Sequence, residues 1–316
     1  MERRRLGRSG LEVTGLAFGA WGIGSKHYGA VEERDAFSAL EAYVDGGGNF
    51  IDTARGYHLS EAIVGRFLRK ADRRERVVLA TKVAPVEPTA IRKDFDESRR
   101  QLQADVIDLL FLHQPPEDPD TMNRVLDVYA ALKDRGQIRA IGASVKGANV
   151  SQATVDLCRQ YIRTRRVDAL MVIFSILRQK TREVFDEAAS AGVGIVLRTV
   201  LENGFLTGKY HPGHRFPGGF PNGDHRSRWN GPKLDRILDW ADEVARTAVK
   251  PPYATLAQVA IRFALDEPVS SVSVGAKDAA QSAANLVAAS LPPLPSDIRK
   301  KLVREYAGRE TEVNLD

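Results

Sequence analysis

Two rhythms of apolar residues alternate along the chain. Short runs that are almost wholly apolar are followed by stretches in which apolar residues return every three or four positions, the marks of buried strands and amphipathic helices. After a short N-terminal segment, LEVTGLAFGAWG (11–22) reads as a strand pair or a strand ending in a glycine-rich turn. The helical stretch EERDAFSALEAYVDGG (32–47) then leads to strand NFIDTA, SEAIVGRFLRKADRR (60–74) to VVLATKVA, and TAIRKDFDESRRQLQADV (89–106) to IDLLFLHQ. TMNRVLDVYAALKDRGQ (121–137) precedes IRAIGASV, NVSQATVDLCRQYIRTRRV (149–167) precedes DALMVIFSI, TREVFDEAASAG (181–192) precedes GIVLRTV, and SSVSVGAK (270–277) closes the series. Counting LAFGA first, eight strands alternate with helices, and most are apolar throughout, as parallel strands covered on both faces should be.

Eight such units predict an α/β fold, a (β/α)8 TIM barrel formed as a single domain over residues 1–316. A doubly wound open sheet is the other fold weighed. It would need a G-x-G-x-x-G turn after the first strand, and Gly19, Gly22 and Gly24 do not have that spacing. In a barrel the active site lies at the carboxyl ends of the strands, where Asp52, Lys82, His113, Ser144 and Arg198 all fall. Residues 211–232, rich in Gly and Pro and without periodicity, are expected to form a long loop beside the barrel mouth. His211, His214 and His225 lie in it, but nothing in the spacing aims them together, and no metal site is expected.

Asp52, Tyr57, Lys82 and His113 suit proton transfer to a carbonyl oxygen. A phenol titrates near pH 10, about three units above neutrality, so it donates poorly unless a neighbouring cation stabilises the phenolate left behind. Lys82 can supply that charge, Asp52 can hold Lys82 protonated and oriented, and His113 can hydrogen-bond the substrate oxygen.

The wording at these positions, DTARGYHLSE (52–61), TK (81–82) and LHQP (112–115), resembles the aldo-keto reductase family. The resemblance continues through GQIRAIGAS (136–144), GFLTGKY (204–210) and SVGAKDAAQSAAN (273–285), and so covers nearly all of the chain. It implies hydride transfer between a nicotinamide dinucleotide, usually the phosphorylated form, and a small carbonyl compound or alcohol. Tyr57 would be the general acid in reduction and the base in oxidation.

By the same resemblance the dinucleotide runs past Ala20 and Trp21, with its pyrophosphate on Gly204, Phe205, Leu206, Gly208 and Lys209. Gly275, Lys277, Gln281 and Asn285 would hold its adenosine half. Lys277 at a helix N-terminus suits a ribose 2'-phosphate, so NADPH is expected in preference to NADH. The nicotinamide end departs from the family pattern. Ser144 is followed by Val145 where the family usually has Asn, and Met171 stands where it usually has Gln; Phe174 is expected to stack on the ring. Two lost hydrogen bonds weaken ring placement by roughly 1 to 3 kcal/mol. Arg198 replaces a less charged residue and could meet a phosphate or an acidic substrate, Trp21 could wall the substrate pocket, and His58, where the family commonly has Gly, could face substrate.

Composition narrows the alternatives. Apolar content of 43% and charged content of 28% are those of a packed globule. The net charge of +5, from 46 basic and 41 acidic residues, comes largely from short runs at 3–5 and 163–166 without aromatic platforms, so no nucleic-acid partner is expected. Cys158 is the single cysteine, which excludes a disulfide framework and fits the cytoplasm. No apolar run is long enough for a signal peptide or a membrane span, and no mark of oligomeric state is visible. Two other functions fit the same residues: a lyase or isomerase on a sugar-like substrate, and a dinucleotide-sensing subunit without turnover.

Overall fold

The computed structural model describes residues 1–24, 29–70, 72–145, 149–214, 220 and 224–314. An N-terminal hairpin, β1 (Arg3–Arg5) and β2 (Glu12–Thr14), precedes the barrel strands β3 (Leu16–Gly19), β4 (Phe50–Asp52), β5 (Val78–Val83), β6 (Ile107–His113), β7 (Ile138–Ser144), β8 (Ala169–Ile173), β9 (Gly194–Arg198) and β10 (Ser271–Val274). These eight strands pair in parallel and close, in the order β10-β3-β4-β5-β6-β7-β8-β9. The fold is a (β/α)8 TIM barrel. Its helices are α1 (Trp21–Gly24), α2 (Glu33–Asp45), α3 (Ser60–Leu68), α4 (Pro88–Leu102), α5 (Pro119–Asp134), α6 (Gln152–Thr164), α7 (Phe185–Ser190), α8 (Gly231–Ala248), α9 (Leu256–Leu265), α10 (Ala279–Ser290) and α11 (Ser296–Tyr306).

The period of each segment decides which face is buried. Ala36, Ala39, Leu40, Tyr43 and Val44 of α2 fall on one face at three- and four-residue spacing and pack against the sheet. Asp118 caps α5 through the Thr121 amide, and Thr255 with Gln258 forms a capping box on α9.

Along the strands the two-residue period separates two cores. Outward side chains such as Leu79, Leu110, Ile141, Leu170 and Leu197 join the helices, whereas Ala17, Phe50, Ala80, Leu109, Ala140, Ala169 and Val196 fill the cylinder. Leu6, Leu11 and Val13 of the hairpin belong to this inner cluster, so the hairpin plugs the amino end of the barrel. Gly7 permits the approach: its φ of +53 is left-handed, and a Cβ there would lie 2.4 Å from the Gly194 nitrogen. At the same end Asp108 and Asp168 accept the amides of Leu79 and Ile141 from the preceding strands at 2.8 and 2.9 Å.

With the floor plugged and the interior filled, the other end of the cylinder carries the open site. There, the last inward positions of the strands are Gly19, Asp52, Lys82, His113, Ser144, Ile173, Arg198 and Ser273; the registers set Gly19 level with Asp52, His113 with Ser144 and Ile173 with Arg198, whereas Asp52 pairs with Ala80, Lys82 with Phe111 and Ser144 with Met171, so the ring climbs by two residues at those three steps.

Candidate active site

Strand parity places the catalytic candidates. Asp52, Lys82 and His113 are inward residues at the carboxyl ends of consecutive strands, and Tyr57 comes from the loop that follows Asp52. That loop is tied down on both sides. The Thr53 and Arg55 amides donate to the Ala80 and Lys82 carbonyls at 3.0 and 2.9 Å, and the Ser60 hydroxyl donates to the Ala20 carbonyl at 2.8 Å. Buried Glu61 accepts from the Thr81 hydroxyl at 2.7 Å and from Arg55 at 3.1 Å. The backbone turns at His58 with a φ of +50, the region glycine enters without strain, which accounts for the glycine common in the family at this point. His58 itself is exposed and is not among the residues that line the cavity.

Lys82 is fully buried, and its ammonium donates to both Asp52 oxygens at 2.6 and 2.7 Å and to the Thr53 carbonyl at 2.7 Å. Those bonds engage all three of its protons. Its influence on Tyr57 therefore passes through space, with the nitrogen 4.9 Å from the phenol ring centroid. Burial pushes the Asp52 carboxyl up against the opposing pull of Lys82 and Arg198. The His113 ring stands edge-on to Tyr57 at 5.8 Å, and burial, with the charges of Lys82 and Arg198, lowers its pKa to about 3. His113 is therefore neutral near pH 7, a ring with one N–H to donate.

Tyr57, His113 and Asp52 face a cavity of about 1130 Å³ that runs from the centre of the mouth out between β9 and β10. Trp21 forms part of its wall, 6.0 Å from the Tyr57 ring and 5.2 Å from the His225 ring. Ser144, Val145, Met171 and Arg198 line the floor. Arg198 donates to the Val145 carbonyl at 3.0 Å and thus bridges from the end of β9 across β8 to the end of β7.

Phe174 does not reach this floor. Met171 and Ile173 point inward, so the next residue points outward, and the Phe174 ring is buried against Phe263 at 5.8 Å and Phe185 at 5.5 Å. The expected ring-stacking role is corrected on that parity. Ala20 is likewise buried outside the cavity, its amide donating to the Asp52 carbonyl at 2.8 Å.

At the far end, the 3₁₀ segment Glu202–Thr207 turns through left-handed Asn203 and Gly204, and Gly204, Gly208 and Lys209 line the cavity. Phe205 and Leu206 do not line it. They anchor the turn in the outer core, Phe205 against Tyr210 and Trp229 at 5.9 Å each. Opposite them are Gly275, Lys277, Gln281 and Asn285 at the start of α10. Here Asp278 caps the Gln281 amide at 2.8 Å, Gln281 accepts the Lys277 amide at 3.2 Å, and Asn285 donates to the Gly275 carbonyl at 3.2 Å.

Several wall residues carried no readable motif. Arg226 and Arg228 follow Asp224, which accepts the Arg226 amide at 2.8 Å, while Arg226 donates to the Tyr210 hydroxyl at 2.6 Å. The stretch expected as a long loop over 211–232 thus includes a 3₁₀ turn at His225–Arg228 and the first two residues of α8; residues 215–219 and 221–223 lie outside the described residues. Arg178 also reaches the cavity and is paired with Glu202, both 1% exposed. Its one signal was a charged residue after an apolar run. Burial and the nearby Arg226 and Lys209 cations lower the Lys277 pKa, the mark of a cationic cluster suited to phosphate.

The aldo/keto reductase family model matches residues 15–303. The chain belongs to this family. Among aldo/keto reductases it is 28% identical to the aldo-keto reductase YhdN of Bacillus subtilis over 287 residues, 87% of this chain and 84% of that protein. The fold superimposes on the glycerol dehydrogenase of Gluconobacter oxydans with a TM-score of 0.78 and 25% identity, covering 99% of this chain and 97% of the other. It also superimposes on the holo form of an aldo-keto reductase of Bacillus halodurans, with a TM-score of 0.77 and 25% identity over 98% and 97%. Aldo/keto reductases are carbonyl–alcohol oxidoreductases that act on small molecules with nicotinamide dinucleotide cofactors, and this family member is an oxidoreductase of that class. No helix among the described residues is long and apolar enough to cross a membrane.

Proposed function

We propose that the protein interconverts an aldehyde or ketone and the matching alcohol with NADP(H), as a single barrel domain in the cytoplasm. The observation that carries this reading is the juxtaposition of Tyr57, neutral His113 and the buried Asp52–Lys82 pair at one end of an elongated cavity whose other end is cationic. A volume near 1130 Å³ exceeds the needs of a small carbonyl compound and leaves room for an extended cofactor.

The residues fit a dinucleotide. Gly204, Gly208 and Lys209 present backbone and charge to a pyrophosphate, and Lys277 with Arg226 presents paired cations to a 2'-phosphate. A reduced nicotinamide held there would supply the hydride, with its electron pair, that the carbonyl carbon needs. The protein's part is at the oxygen. His113 donates an N–H that fixes the carbonyl, the π electrons move to oxygen, and Tyr57 transfers its proton there. Lys82 stabilises the negative charge left on the phenol, and Asp52 keeps the ammonium in place, so the pair adds a local field without a net charge. In oxidation the same groups work in reverse.

The test mixes purified protein with NADPH and an aldehyde panel and follows cofactor absorbance. Tyr57→Phe and Lys82→Met should each lower kcat by about 10²–10⁴, with dinucleotide affinity kept. Turnover equal in wild type and Tyr57→Phe would overturn the assignment.

A further inference from the structure

Six cationic side chains among the described residues line the cavity, Arg178, Arg198, Lys209, Arg226, Arg228 and Lys277, against the single carboxylate of Asp52. Their positions divide them. Lys209, Arg226, Arg228 and Lys277 stand at the far end, and Arg178 is in a buried ion pair with Glu202. Arg198 alone of the six extends from the catalytic floor, at the last inward position of β9, level with Ile173 and near His113. The one carboxylate of that floor is held by Lys82, and His113 is neutral. Among the described residues, the reacting end of the cavity therefore has a net positive charge.

Arg198 is held from behind. Its Nη2 donates to the Val145 carbonyl at 3.0 Å and its Nη1 approaches the Thr199 hydroxyl at 3.4 Å, both neutral acceptors. A guanidinium has five donors in one plane, so a planar anion can be received edge-on while the bond to Val145 persists. Gln114 and Thr199 line the adjacent wall and can complete the shell of such an anion. The position also has an electrostatic signature, because the charge of Arg198 reaches both His113 and Asp52.

We propose that the substrate carries an anionic group close to its carbonyl, and that Arg198 binds this group and thereby orients the carbonyl between Tyr57 and His113. The proposal rests on the oxidoreductase reading above for the word carbonyl, but not for the anion. Carboxylate and sulfonate share the required chemistry. Val145 and Met171 beside Arg198 offer no hydrogen-bond donor from their side chains, so the guanidinium is the charged anchor of that floor, with the Ser144 hydroxyl as its neutral donor.

The first arm is independent of turnover. Calorimetric titration of wild type with benzoate, benzenesulfonate and benzamide should show an anion bound at least about tenfold more tightly than the amide, as a charge-assisted bond implies. Benzoate against benzenesulfonate tells which anion the site prefers. Arg198→Met should lose about tenfold to a hundredfold of anion affinity and leave benzamide unchanged, and Arg198→Lys should recover part of the loss. The second arm compares 4-carboxybenzaldehyde with its methyl ester in steady state. Arg198→Met should raise KM for the acid, with kcat falling less, and lower the acid-to-ester ratio of kcat/KM by about tenfold or more, whatever the change common to both substrates. Benzamide bound as tightly as both anions by wild type, or anions bound equally by wild type and Arg198→Met, overturns the proposal; should Arg198→Met not fold, Arg198→Ala makes the same comparison, and anion affinity equal to wild type there overturns it as well. Absence of any carbonyl turnover with anion binding intact would sink the redox reading and leave the anion site standing.

Discussion

His113 shows how much a single side chain takes from its surroundings. Free imidazole protonates near 6.5, but between the Lys82 and Arg198 charges and out of water it does so only near about 3. Between those values the unfolded chain binds a proton that the folded chain refuses, so stability falls as the pH drops from 6.5 toward 3. Urea titrations at about pH 7 and about pH 5 should show a larger loss of midpoint for wild type than for His113→Asn, which has no proton to gain. In the rate profile, kcat/KM for a neutral carbonyl should show no acid limb near the ordinary histidine value. A limb at that value would mean that His113 becomes charged in the working enzyme. The four catalytic candidates were legible because each is a polar residue at the end of an apolar strand or in the turn after one. Phe174 is expected at the ring by family resemblance alone, whereas the two-residue alternation of β8, continued past Ile173, turns it to the helices.

At the scale of elements, all eight barrel strands were readable, most of them as apolar runs, and the helices from α2 to α7 as three- and four-residue spacing, whereas α8 and α9 were not singled out. The boundaries of the segment after β9 were not, since its structure comes from long-range pairs. The Glu202 carboxylate receives Arg178 at 3.1 and 3.0 Å through Nε, and this buried pair fastens the 3₁₀ turn bearing Gly204 to the end of β8. Glu202→Leu leaves a buried guanidinium without its counter-charge and should cost about 3–5 kcal/mol in urea unfolding. The double variant Arg178→Met, Glu202→Leu should recover most of that, because an apolar pair of similar volume removes both charges together. Equal loss in single and double variants would show that packing, and not charge, holds the turn.

The whole molecule is basic by +5, but the charge that matters for binding is local. Lys209, Arg228 and Lys277 gather at one end of the cavity with Arg226, whose charge is partly offset by its ion pair with buried Asp224 at 2.6 Å, and the remaining fields add. Partly exposed charges are screened by salt, with a Debye length of about 10 Å at 0.1 M and about 3 Å at 1 M. Raising sodium chloride from about 0.05 to about 0.5 M should weaken NADPH binding several-fold more than NADH binding, by fluorescence titration. Parallel salt dependence for the two would mean that no cation cluster meets the additional phosphate. None of this clustering could be read from charge runs, because Arg226 and Lys277 are far apart in the chain and meet only through closure of the cylinder.

The hairpin beneath the barrel has a practical consequence. Arg4 reaches the Leu265 and Val269 carbonyls, Ser270 donates to the Arg5 carbonyl, and Met1 stands 41% exposed beside them. A tether attached at Met1 consequently grips the cylinder by its closed base. Immobilised in that orientation, on a sensor chip or an electrode, the molecule keeps its reactive opening turned toward the bulk solution.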